Sequence, residues 1–67
     1  MAGVAVRVVW RQMADAPTDG TPVRVLLSDG LGVYEYPDPV RWDGRDWVNA
    51  ASGVRIVPKA VAWGSVT

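Results

Sequence analysis

Apolar residues recur at every second position in short runs along this chain. Nowhere do they hold the three-and-four spacing of a helix over ten residues. Period-two strands are therefore expected throughout. Residues 4–10 place Val4, Val6, Val8 and Trp10 on one face and read as a first strand. Residues 22–28, Pro-Val-Arg-Val-Leu-Leu-Ser, are the clearest strand, and residues 31–36 return as a third. Residues 40–42 and 46–49 read as two arms of a further hairpin, and residues 54–57 and 60–66 as two last strands separated by Pro58.

The punctuation agrees with that reading. Asp-Gly pairs at 19–20, 29–30 and 43–44 are turn signals, because aspartate bonds nearby backbone N–H groups and glycine accepts positive φ. Pro37 and Pro39 break the third strand, since proline cannot donate to a ladder. Pro17 disfavours helix at Ala16, which leaves room for at most one helical turn near residues 11–16. The expected fold is all-β: a small antiparallel curved sheet or an open SH3-like barrel of five to six short strands, in a single domain spanning residues 1–67.

Charge changes the picture of one face. Arg7, Arg24, Arg41 and Arg55 each stand between two apolar residues, so strand alternation turns them away from the core. Every acidic residue except Glu35 falls in a turn or at a strand end. An arginine-bearing outer surface with aspartates at the rims is expected. It offers either a stripe for phosphates or acidic partners or solvated positions whose stems cover apolar surface. The second reading is favoured.

Composition then narrows the chemistry. Seven basic and seven acidic side chains cancel, which removes any long-range pull on nucleic acid or anionic membrane. Cysteine and histidine are absent, so thiolate nucleophiles, disulfides and the commonest transition-metal ligands are excluded. A chain of 67 residues buries only about 60% of its unfolded surface, and such domains lean on staples or on a second subunit. With no phenylalanine, the core must come from valines and the tryptophans at 10, 42, 47 and 63.

No catalytic, cofactor-binding or metal-binding residue stands out. Asp43 and Asp46 are the nearest carboxylate pair, yet a tight turn explains both. Gly30 and Gly32 precede no helix, so they make no phosphate loop. The spacing of Trp42 and Trp63 suggests a WW domain, but the turn directly after Trp42 leaves no room for that fold's first strand. Trp10, Trp42 and Trp63 alternate with valines and are expected in the core. Either Trp47 or Val48 faces inward, and either Tyr34 with Tyr36 or Leu31 with Val33 faces outward. An exposed cluster of Tyr34, Tyr36 and Trp47 would make a protein-contact patch.

Trp10, Met13, Ala16-Pro17, Asp19-Gly20-Thr21 and the strand through Val23 and Val25 resemble the start of small uncharacterised phage and prophage proteins of proteobacteria. The later Asp29-Gly30, Trp42 with Trp47, and closing Trp63 are similar as well. The resemblance runs from Trp10 to Trp63 and implies no enzyme activity and no defined site. The chain departs from that pattern in its apolar residues 4–9 and in its Trp-Gly-Ser-Val-Thr ending.

These readings give a non-enzymatic accessory or host-modulating factor acting through protein–protein contact, with a homodimer through the apolar edge at residues 4–9 as a further expectation. The contact residues would be Arg7, Arg24, Arg41, Arg55, Tyr34, Tyr36 and Trp47. The alternative is a β-module that binds nucleic acid through the arginine face. The expected setting is the host cytoplasm, with virion association as a variant, and no cofactor or membrane.

Overall fold

The computed structural model describes residues 8–66. Within them six strands form one antiparallel sheet: β1 (Arg11–Gln12), β2 (Val23–Ser28), β3 (Val33–Glu35), β4 (Val40–Trp42), β5 (Trp47–Asn49) and β6 (Lys59–Ser65). A single 3-10 turn, Met13–Asp15, follows β1 and ends where Ala16 meets Pro17. The all-β expectation therefore holds. The strand order is β1-β6-β2-β4-β5, with β3 also on β2. β1 and β5 lie at opposite ends of that path, so the sheet is open.

β2 is the hub. Its Val23, Val25 and Leu27 are buried, and with Val40 of β4 they form the core. Cross-strand partners share a face. Register therefore places Trp63 and Ala60 of β6 on that inner face, opposite Val25 and Leu27. Tyr36, Trp47, Ile56, Ala60 and Trp63 close over the four buried residues. Trp63 does so with its Nε1 buried and, among the described residues, without an acceptor.

β3 and β4 are one strand bent in the middle. Tyr36 N–H donates to Val25 O at 3.0 Å, and Val40 pairs with Val23. The chain thus advances from 36 to 40 while β2 advances only from 25 to 23, and Pro37-Asp38-Pro39 takes up the difference. Two prolines in three residues cannot sustain a ladder. This bend frees β4 to pair with β5 and leaves β3 alone on the other half of β2.

Several expectations are corrected. Residues 54–57 form no strand: Arg55 makes one isolated bridge to Val48, flanked by Asn49 N–H to Val54 O (2.8 Å) and Ile56 N–H to Trp47 O (2.9 Å). Pro58, lacking an N–H, stops that pairing from lengthening. Residues 4–7 of the predicted first strand lie outside the described residues, and residues 8–10 belong to no strand. Trp10 is not part of the core cluster. Gly64 pairs with Arg24 on the outer face, and a Cβ there would collide with the Val8 side chain and meet Trp10 Cε3 at 3.6 Å. Trp10 therefore packs on the side of the sheet away from the core.

Candidate functional site: the uncovered β3 edge

Both long hairpins use the same turn. Asp29 Oδ1 accepts from the N–H groups of Leu31 (2.8 Å) and Gly32 (3.1 Å), and Asp43 Oδ1 accepts from Arg45 (2.8 Å) and Asp46 (2.7 Å). Gly30 and Gly44 come next at φ 90° and 98°, a conformation that side chains with a Cβ adopt at a cost. The Asp-Gly pairs do mark turns, but each loop contains four residues, 29–32 and 43–46, closed by Asp29 N–H to Gly32 O and Asp43 N–H to Asp46 O. Backbone donors hold the Asp43 carboxyl below its ordinary value of 3.8, with Arg41 adding a smaller pull. Asp19 is lowered in the same way, first by the Thr21 hydroxyl and then by the Thr21 N–H.

The two hairpins end differently. In β4–β5, Val40 and Val48 are buried, and Trp42 meets Trp47 edge-on with centroids 5.3 Å apart. Asn49, 8% exposed, donates to Tyr36 Oη (3.1 Å) and Asp38 Oδ2 (3.2 Å). Its Oδ1 accepts from the N–H groups of Ala51 (2.9 Å) and Ser52 (3.0 Å), which turns the chain back along β5. Every residue of β3, by contrast, is exposed. Leu31 is 97% exposed, Val33 60% and Tyr34 43%.

Hydrogen-bond parity shows what β3 presents. Tyr36 and Asp29 both exchange or donate bonds along the β2–β3 ladder, at the 25–36 and 29–32 positions. In an antiparallel ladder bonded pairs alternate with non-bonded ones. The Leu27–Tyr34 pair therefore points its backbone groups inward, while the N–H and C=O groups of Val33 and Glu35 point away from β2. Among the described residues no strand pairs with that side of β3. The equivalent side of β5 is covered by residues 54–56.

The predicted contact residues separate accordingly. Tyr34 is exposed at this edge, whereas Tyr36 and Trp47 pack on the core, so the expected cluster of Tyr34, Tyr36 and Trp47 is not one exposed patch. Trp47 and Val48 are both largely enclosed, on opposite faces. The β4–β5 register and the Arg55 bridge set Arg41, Val48 and Arg55 in a row, so two arginines flank a valine that is only 3% exposed. Arg24 shares that outer face, where its Nε donates to Glu35 Oε2 at 2.6 Å and its Nη2 reaches the same oxygen. Arg7 lies outside the described residues. Alternation offers Leu31 and Val33 only as an alternative to the tyrosines. Leu31 is exposed because it sits in the 29–32 loop, and Val33 because it pairs with Ser28 on the outer face.

The inner face also carries a cleft of about 420 Å³ walled by Trp42, Trp47, Met13 and Ile56, with Arg45, Asp46 and Lys59 on its lining. Among the described residues no group of three or more carboxylates is placed to hold a metal ion, and no helix is long and apolar enough to cross a membrane. No family model matches this chain, and neither a curated protein nor a solved structure matches it.

Proposed function

We propose that this chain is a non-enzymatic binding module that acts by protein–protein contact through the β3 edge, as an accessory or host-modulating factor of a phage or prophage. The observation that carries the contact is the uncovered edge itself. Among the described residues, nothing pairs with the outward backbone donors and acceptors of Val33 and Glu35, and the exposed side chains of Leu31, Val33 and Tyr34 border them. An edge of this kind is a template for strand addition, in which backbone bonds supply affinity and alternate side chains supply selectivity. The phage or prophage setting is supported by the resemblance carried by residues 10–63.

A photo-crosslinking residue at position 33 tests this reading in lysates of infected or induced cells. The expected result is a discrete protein adduct at position 33 and none at the exposed position 51. Equal labelling at both positions, or at neither, would remove the edge from consideration.

A second reading has one observation in its favour: Arg24, Arg41 and Arg55 share the outer face, as a nucleic-acid stripe would need. Arg24 is already neutralised by Glu35, which leaves Arg41 and Arg55 astride Val48. Oligonucleotide affinity that falls steeply with salt, and falls further in Arg41→Gln, would support this reading over the first.

A further inference from the structure

We infer that the β3 edge takes a second copy of this chain, forming a weak two-fold dimer about Tyr34; this rests on the reading of β3 as a contact edge and names its occupant. The pattern along the edge is complementary to itself. The outward-pointing backbone groups belong to Val33 and Glu35, placed symmetrically on either side of Tyr34. An antiparallel copy related by a two-fold axis at Tyr34 sets Val33 opposite Glu35 of the partner subunit, and Glu35 opposite Val33 of the partner subunit. Each of those pairs can exchange both N–H···O bonds.

The flanks match in the same register. Leu31 falls opposite Pro37 of the partner subunit. The Leu31 N–H is already donated to Asp29 Oδ1, and proline has no N–H to offer, so the ladder closes without stranding a donor from either residue. An apolar side chain that is 97% exposed in the single chain then meets an apolar ring.

Charge permits the approach too. Glu35 is the only charged residue of β3, and Arg24 of its own chain already neutralises it. In the dimer it faces a valine, so no like charges are opposed. Tyr34 meets Tyr34 of the partner subunit at the axis, in a non-bonded pair where side chains come closest. The three-residue strand limits the contact to well under about 1,000 Å², which sets the affinity on the order of 0.1–1 mM.

The absence of cysteine allows a direct test. A non-bonded antiparallel pair holds its Cα atoms about 4.5 Å apart, within disulfide range. Tyr34→Cys is expected to form a covalent dimer under mild oxidation at least about fivefold faster than Leu31→Cys, although Leu31 is the more exposed residue. Sedimentation of the unmodified protein should show average mass rising above the 7.2 kDa monomer as concentration approaches about 1 mM. Tyr34→Glu, which opposes two carboxylates at the axis, should reduce that association about tenfold and regain part of it in high salt. Equal crosslinking of the two cysteine variants, a monomer at every concentration, or association indifferent to Tyr34→Glu would each overturn the dimer. If the dimer fails while a photo-crosslinker at position 33 still captures a different protein, the contact reading stands and only the choice of occupant is wrong.

Discussion

The β2–β3 and β4–β5 hairpins are closed by the same four-residue device, an aspartate accepting two backbone bonds with a left-handed glycine behind it. One nevertheless carries exposed residues along its whole second strand, while the second strand of the other contributes buried Val48 and Asn49. Turn chemistry therefore determines that the chain reverses and says nothing about whether the returning strand is covered. Covering is decided by the segment after each returning strand. After β5, the Asn49 carboxamide turns the chain back along that strand, whereas the chain after β3 runs on into Pro37, and among the described residues no strand pairs with the second edge of β3.

The largest contrast should come from truncating matching positions in the two second strands. Trp47→Ala is expected to cost about 3 kcal/mol, enough to unfold much of a domain this small. Val33→Ala should stay within about 0.5 kcal/mol. Urea denaturation followed by tryptophan fluorescence reads both. Comparable losses would mean that β3 is packed after all.

Next in size is the carboxamide that covers β5. Asn49→Ala removes four hydrogen bonds and leaves the Tyr36 hydroxyl and two N–H groups without their partner, a loss of about 2–3 kcal/mol. Hydrogen exchange should then quicken at Asn49 and Ile56, whose N–H groups join β5 to residues 54–56, while the amides of β2 that face β3 change little. Uniform quickening across both hairpins would show that the turn after β5 is not a local cover.

The two turn aspartates should differ by less. Asp29→Ala and Asp43→Ala should lower the denaturation midpoint by small, similar amounts at neutral pH, because each removes the same pair of accepted bonds. Acid tests the Asp43 turn. The Asp43 carboxyl is held below 3.8 in the folded chain, so its contribution is full above that value and is lost as pH falls through the depressed one. Replacing Asp43 should therefore flatten the stability profile below about pH 4, and an unchanged acid limb would contradict the depressed value.

The smallest effect belongs to the ion pair between β2 and β3. Arg24 and Glu35 are 37% and 36% exposed, so a double-mutant cycle should return at most about 1 kcal/mol, falling as salt is added. A larger, salt-independent coupling would mean that the outer face of β3 is shielded from solvent.

Much of the fold was legible along the chain. Alternation located β2, β4 and β5, the Asp-Gly pairs located the reversals, and Pro17 confined the helical turn. The flanking apolar residues placed Arg24 and Arg41 outward, as register confirms. Alternation misled where pairing was irregular. Residues 54–57 have a strand pattern yet make one bridge, because Pro58 ends the ladder. Trp10 has a core pattern yet packs over Gly64, because a side chain that keeps period with its neighbours still depends on which face its segment lies against. The bulge between Leu26 and Leu27 in the β2–β6 register shifts β6 so that Ala60, not Val61, sits opposite Leu27. A period-two reading carries no such shift.

Local pattern alone thus dictates an all-β chain, its turns and the polarity of its strands, since these depend on residues within a few positions of one another. Which edge stays open is a matter of long-range packing. It depends on a carboxamide at Asn49 that reaches Tyr36 and Asp38, contacts between residues more than ten positions apart, and on residues 54–56 laid along β5.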